Sequence, residues 1–223
     1  MDATSAVFAR FRNAGKTQMT LQEAESLSWI VAERVQSAIA AIDGPAPAGV
    51  VGIATGGLMV AKIVAIKLGL PLEVFFVRRQ GSRLKRTLGV LPFAAQLAAF
   101  LLTIGPLRKR LVPALNLMNR LETKKSDGES VGSVLGPVIL VDDCIQSGAS
   151  ALHAKRQLEG SGRRVMLTAV LAISGKGLAP HIAGEIGPMI VLLPRIHHFP
   201  WSQNNPDYRQ FQNWLKTHEI SRW

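Results

Sequence analysis

The stretch that most constrains this chain is Val138 to Ser150, reading Val-Ile-Leu-Val-Asp-Asp-Cys-Ile-Gln-Ser-Gly-Ala-Ser. Four apolar residues without a polar interruption predict a strand buried on both faces. Two adjacent carboxylates, Asp142 and Asp143, then fall at its C-terminal end, where open α/β sheets place their ligands. Gln146 to Ser150 follow as a small-residue turn, and a helical pattern begins at Ala149. Such a turn aims backbone N–H groups and the Ser147 and Ser150 hydroxyls at one point, at the positive end of a helix, which is a cradle for phosphate. The carboxylates would repel a phosphate. They suit the other end of a sugar phosphate, as acceptors for vicinal hydroxyls.

The rest of the chain supplies a matching frame. Thr20-Leu21-Gln22-Glu23 has the form of a capping box ahead of a helix over Leu21 to Ile42. Val50 to Ile53 is a short buried-strand candidate. Ala54-Thr55-Gly56-Gly57 turns from it into a helix, Leu58 to Leu68, stopped by Gly69. Two glycines there let the backbone approach an anion at a second helix N-terminus. Leu72 to Val77 reads as the next strand, and Arg164-Val165 opens another that reaches Ile173. Ser174 to Pro188 reads as loop, Met189 to Leu193 as a last strand, and Asp207 to His218 as a terminal helix with Tyr208, Phe211 and Trp214 on nearly one face.

The Val138–Ser150 stretch resembles the signature of the type I phosphoribosyltransferases, which bind 5-phosphoribosyl diphosphate (PRPP): an apolar strand, Asp-Asp, a short variable stretch, and a Thr/Ser-Gly-x-Thr/Ser loop, here Ser147-Gly148-Ala149-Ser150. The resemblance implies that Asp142 and Asp143 hold the ribose 2′- and 3′-hydroxyls. It implies that Gln146, Ser147, Gly148, Ala149 and Ser150 hold the 5′-phosphate. Thr55, Gly56 and Gly57 match the family's second signature, the loop that takes the pyrophosphate. Arg78 to Thr87 lies where the family carries a loop that closes over the transition state, with Arg78, Arg79 and Arg83 as candidates to offset charge on departing pyrophosphate. By composition alone that stretch is a solvated basic loop. Near the C-terminus, His197-His198-Phe199-Pro200-Trp201 is similar to the ending of several purine phosphoribosyltransferases. That similarity makes Phe199 and Trp201 candidates to stack on a base, while the residues alone equally fit a Pro-aromatic anchor packed on the core. The resemblance further implies Mg²⁺, bound through PRPP near Asp142 and Asp143. His197 and His198 are adjacent and point apart on any regular backbone, so they do not suggest a metal pair.

One position departs from the family pattern. The 6-oxopurine branch carries an Asp as the third residue after the acidic pair, placed to assist the purine N7. Here that residue is Gln146, which cannot act as a general base. The resemblance therefore does not extend to hypoxanthine or guanine salvage.

Composition locates a second feature. The chain of 223 residues carries a net charge of +11. Eleven Lys and Arg between Arg78 and Lys125 face the single acid Glu122, so this window carries +10 of it. Inside it, Leu88 to Leu107 runs twenty residues without a charge between two basic clusters. Three arrangements fit: a membrane span, attachment to an anionic membrane surface, or a helical hairpin buried in a partner or subunit interface. Pro92, Gln96, Thr103, Gly105 and Pro106 dilute the segment, and basic residues at both ends give no orientation, which favours the hairpin. The basic window would also give salt-dependent affinity for nucleic acid, although it lacks the aromatic residues expected of single-strand binders.

The apolar share of 48% against 18% charged is that of a globular chain. The one cysteine, Cys144, allows no intrachain disulfide and fits a reducing cytoplasm. Acids beside it disfavour the thiolate, so it reads as a small strand-end residue and not as a nucleophile. Met1 to Gln18 has no apolar run of signal-peptide kind. The expectation is one α/β domain over 1–223: a mainly parallel twisted sheet flanked by helices, a helical basic and apolar insert over 83–136, and a small C-terminal hood over 189–223. The function expected with it is displacement of pyrophosphate from Mg·PRPP by a nitrogenous base or other acceptor, in a homo-oligomer or a larger complex assembled through 83–125. The alternative expectation is a nucleic-acid-associated regulator or partner-dependent effector that keeps the PRPP site without being a salvage enzyme.

Overall fold

The computed structural model of the chain describes residues 3–13, 17–77, 130–131, 134–174 and 177–220. They belong to one compact unit. The strands are β1 (Gly49–Ala54), β2 (Leu72–Phe76), β3 (Ser130–Val131), β4 (Val138–Ile145), β5 (Val165–Ile173) and β6 (Met189–Leu193). The helices are α1 (Ala3–Asn13), α2 (Leu21–Ala40), α3 (Leu58–Leu68), α4 (Ala149–Gly160), α5 (Pro180–Ile186) and α6 (Tyr208–Thr217). The sheet order is β3-β2-β1-β4-β5-β6. Five strands run parallel, and the two-residue β3 pairs antiparallel with β2 at the edge.

Local chemistry sets the element ends. Thr20 Oγ1 accepts the Glu23 N–H at 3.2 Å, and a Glu23 carboxylate oxygen accepts the Thr20 N–H at 2.9 Å, completing the expected capping box of α2. Gly69 ends α3 in the left-handed conformation that glycine adopts without a Cβ penalty. Strands β1, β4 and β5 are buried along most of their length. That requires apolar side chains on both faces and explains their unbroken Val, Ile, Leu and Ala runs.

The two faces are covered by different helices. Ile139 and Val141 of β4 join the core layer that holds α2, α3 and Phe211 of α6. Val138 and Leu140 join the layer of α4 and Ile186 of α5. Connection handedness accounts for this. The path β1-α3-β2 steps one way along the sheet and β4-α4-β5 steps the other, so right-handed crossovers put α3 and α4 on opposite faces. Between β1 and β4 the winding reverses, and their C-terminal ends open a crevice.

Several expectations meet corrections. The acidic pair does not follow the strand but continues it, since β4 pairs with β5 through Asp142↔Val170 to Ile145↔Ile173. Within the stretch read as loop, residues 180–186 form α5, which a proline opens and Gly187 closes. α1 was not anticipated, because its weak polar periodicity conceals one fully buried residue, Phe11. The insert expected over 83–136 lies outside the described residues except for 130–131 and 134–136, as does the whole of 88–107. No helix among the described residues is long and apolar enough to cross a membrane.

The chain's return to the sheet is fixed by a buried ion pair. Arg163, just after α4, donates to Glu73 of β2 at 2.5 Å, and the side chains are 7% and 4% exposed. The second Glu73 oxygen accepts the Val134 N–H at 2.6 Å. Removing one partner strands a buried charge, so Glu73→Ala or Arg163→Ala is expected to cost about 3–5 kcal/mol in urea unfolding, while a paired Glu73→Met and Arg163→Met replacement recovers most of that loss.

Candidate functional site at the β1–β4 switch point

Two loops emerge side by side from the reversal point. The β1–β4 register pairs Gly49 with Val138 and Gly52 with Val141. Carried on by two residues, it sets Ala54 level with Asp143, so the Ala54–Gly57 turn and the acidic pair leave the sheet at the same height. The Ala54–Thr55 peptide bond is cis.

Glycine is required here by close approach. A Cβ on Gly57 would stand 2.7 Å from the Ile53 carbonyl oxygen and 2.8 Å from the Asp142 Cα. A Cβ on Gly56 would stand 2.8 Å from Nε1 of Trp201, among the Asp143 carboxylate atoms. The two loops are therefore in contact, and a ligand touching one reaches the other. At the head of α4, Gly148 has φ +80°, and a Cβ there would meet Leu178 Cδ2 at 3.1 Å. Gly148 has no side chain to cap the helix, and Ser147 Oγ reaches the Ala149 N–H only at 3.5 Å. The first turn of α4 thus presents amides at the positive end of a helix, an arrangement suited to an anion.

The two acids sit differently. Asp142 is 7% exposed and accepts the Asp143 N–H at 2.8 Å. Asp143 is half-buried, and its Oδ2 accepts the indole N–H of Trp201 at 2.6 Å. The Trp201 ring stacks on Phe199 with centroids 4.8 Å apart at 17°, and leans on Phe211 at 5.6 Å and 55°. Gln146 and Ser147 are exposed, Ala149 is exposed and Ser150 is half-buried.

The expected site residues Thr55, Gly56, Gly57, Asp142, Asp143, Gln146, Ser147, Gly148, Ala149 and Ser150 therefore all lie at one end of the sheet, on the two loops that leave β1 and β4. Trp201 joins them. Phe199 does not: it is 3% exposed, so its ring belongs to the core and serves as the plate on which Trp201 rests, not as a free stacking surface. Arg78, Arg79 and Arg83 lie outside the described residues.

The segment carrying Trp201 is held from behind by the N-terminal strand-like residues 17–19. Met19 N–H donates to the His198 carbonyl at 2.9 Å and His198 N–H to the Thr17 carbonyl at 3.0 Å. Asn205 Nδ2 donates to the carbonyls of Met19 and His198 at 3.1 Å each. His197 is 3% exposed, with Nδ1 at 3.3 Å from Thr17 Oγ1 and its ring edge-on to Phe11 at 5.1 Å.

No family model and no curated protein matches this chain. Solved structures do. An orotate phosphoribosyltransferase from Aeropyrum pernix aligns over 86% of this chain and 93% of its own, with TM-score 0.51 and 17% identity. The Mycobacterium tuberculosis H37Rv orotate phosphoribosyltransferase in complex with PRPP aligns over 85% and 87%, with TM-score 0.50 and 17% identity. A hypothetical protein from Neisseria gonorrhoeae with bound ppGpp aligns over 94% and 100%, with TM-score 0.50 and 15% identity. The chain has the type I phosphoribosyltransferase fold, as its two loop motifs imply.

Burial pushes the His197 imidazole below its ordinary value of 6.5, a Phe11 backbone carbonyl opposes this, and Arg195 and His198 add to the lowering. A folded state that resists the proton loses ground to an unfolded state that takes it up. The stability contributed by neutral His197 is complete above pH 6.5 and falls as the pH drops below that value. Unfolding midpoints in urea across pH 7.5 to 5 should therefore decline at the acid end, and His197→Gln should flatten that decline while lowering stability at neutral pH.

Proposed function

We propose that the chain binds Mg·PRPP at the β1–β4 crevice and transfers its phosphoribosyl group to a nitrogenous base or another acceptor, releasing pyrophosphate. The observation that carries this is the contact between the two loops, where Gly56 and Gly57 leave no room for a Cβ beside Asp143 and Asp142. A ligand with a diphosphate at one end, vicinal hydroxyls in the middle and a phosphate at the other matches that layout. In this reading Thr55, Gly56 and Gly57 take the pyrophosphate, Asp142 and Asp143 accept the ribose hydroxyls, and residues 146–150 hold the 5′-phosphate. Arg78 and Arg79, outside the described residues, would offset charge on the leaving group, and Trp201 would flank the acceptor.

The donor set fits magnesium delivered with the substrate. Among the described residues no group of three or more His, Cys, Asp or Glu could cage a metal. Two carboxylates beside a phosphate site suit an ion that keeps waters and is completed by substrate phosphates. When bound, magnesium offsets charge on the pyrophosphate. The chain's own part is to fix the sugar through its hydroxyls and phosphate, aim amide dipoles at developing charge and hold C1 open to the acceptor. No covalent nucleophile is needed.

A second reading, a PRPP-sensing regulatory or partner-dependent effector that keeps the site without being a salvage enzyme, has one specific support. A protein of this fold carries bound ppGpp, which shares the ribose and diphosphate chemistry. Gln146 in place of a general base is compatible with it.

Isothermal titration with Mg·PRPP separates these readings. Magnesium-dependent micromolar binding is expected, with a loss of about a hundredfold or more in the Asp142→Asn/Asp143→Asn double variant, since each hydrogen bond to a charged group is worth about 1.5–3 kcal/mol. Pyrophosphate release with any of a panel of bases then marks a transferase, and tight binding without release marks a sensor. Absence of binding at both low and moderate salt would sink both.

A further inference from the structure

We propose that Trp201 is a positioning residue for Asp143: its indole N–H holds one carboxylate oxygen, so that the other faces the hydroxyl of a bound ribose phosphate. The inference rests on the PRPP reading of the site and adds a residue that no sugar or phosphate contact would identify. The distance of 2.6 Å is that of a short, charge-assisted hydrogen bond. An indole nitrogen only donates, so the contact has a single polarity and matches an acceptor.

The ring is built to stay. It lies on Phe199 at 4.8 Å and against Phe211 at 5.6 Å, and those two rings are 3% and 1% exposed. Aromatic pairs of this kind fix orientation as well as bury area. Gly56 makes the meeting possible, because a Cβ there would stand 2.5 Å from Asp143 Cγ and 2.8 Å from Trp201 Nε1. The absent side chain of Gly56 thus leaves the indole its place on the carboxylate.

The acidic pair explains why such a partner is needed. Successive strand residues point to opposite faces, so the two carboxylates cannot be set by one environment. Asp142 is buried and bonded to the following amide at 2.8 Å. Asp143 is more exposed, and its orientation is supplied by a side chain 58 residues later. A carboxylate offers roughly four lone-pair directions, so one indole leaves room for a sugar hydroxyl.

The test uses Trp201→Phe, which keeps a ring on Phe199 and deletes only the N–H. Wild type, Trp201→Phe, Asp143→Ala and the double variant would be titrated with Mg·PRPP and, separately, with inorganic phosphate. Trp201→Phe should weaken PRPP about tenfold, the scale of one hydrogen bond to a charged group, leave phosphate unchanged, and cost nothing further once Asp143 is Ala. Additive losses would overturn the proposal, because a residue that merely supports the fold would weaken both backgrounds alike. Unchanged PRPP affinity in Trp201→Phe would overturn it as well. An ¹⁵N spectrum of the ligand-free protein checks the contact itself: the indole signal missing in Trp201→Phe should move in Asp143→Ala, and an unmoved signal overturns the proposal. If wild type takes up no PRPP while that signal moves, the PRPP reading has failed on its own account, and the contact is structural with no positioning role.

Discussion

Everything in this molecule that bears on chemistry depends on one topological constraint. β1 and β4 are neighbours in the sheet, yet their chains must leave in opposite directions to opposite faces, because each β-α-β crossover is right-handed. Neither of these two crossover helices then covers the space between the C-terminal ends of β1 and β4. The crevice is a consequence of the winding, and any residue placed at the end of β1 or β4 is delivered to it. The two loops that end these strands therefore meet without any long-range instruction beyond strand pairing. Gly56 and Gly57 let them close to contact, where any side chain would hold them apart.

The parts of this arrangement legible in the sequence are those with local causes. The apolar runs of β1, β4 and β5 announce strands buried on both faces, and Thr20 with Glu23 announces the start of α2. The Asp142-Asp143 pair and the Ser147–Ser150 loop are separated by only three residues, so their convergence needs only one strand and one helix. What stayed hidden depends on partners distant in the chain. Trp201 and Asp143 lie 58 residues apart, and Arg163 and Glu73 lie 90 apart. One trace of the second pair was available: Glu73 interrupts an otherwise apolar strand, and a charge buried in such a place requires a partner. The sequence left Phe199 open between a surface for a base and a Pro-aromatic anchor, because Phe-Pro-Trp does not say which of two stacked rings faces outward. Burial decides that, and it gives the outward position to Trp201.

The C-terminal segment shows how a peripheral element gains authority over the site. Residues 197–205 are bonded to residues 17–19, and Asn205 and His198 bind that crossing at three points. Asp207 adds a bond to the Leu21 N–H at 2.8 Å, which ties α6 to the start of α2. Trp201 projects from this braced segment onto Asp143, so the orientation of a carboxylate at the sheet's centre is set from its margin. Stability and site geometry share the same contacts there, with His197 at their buried core.

If the loops after β1 and β4 form one site, a single ligand engages both. Hydrogen exchange of the backbone amides with and without Mg·PRPP tests it most directly, because exchange reads each loop separately. Residues 54–58 and 142–151 should gain protection together, at the same ligand concentration, while β6 and α5 change little. Protection of only one loop, or of the two at widely different concentrations, would contradict it and leave the crevice a feature of the fold without a shared ligand.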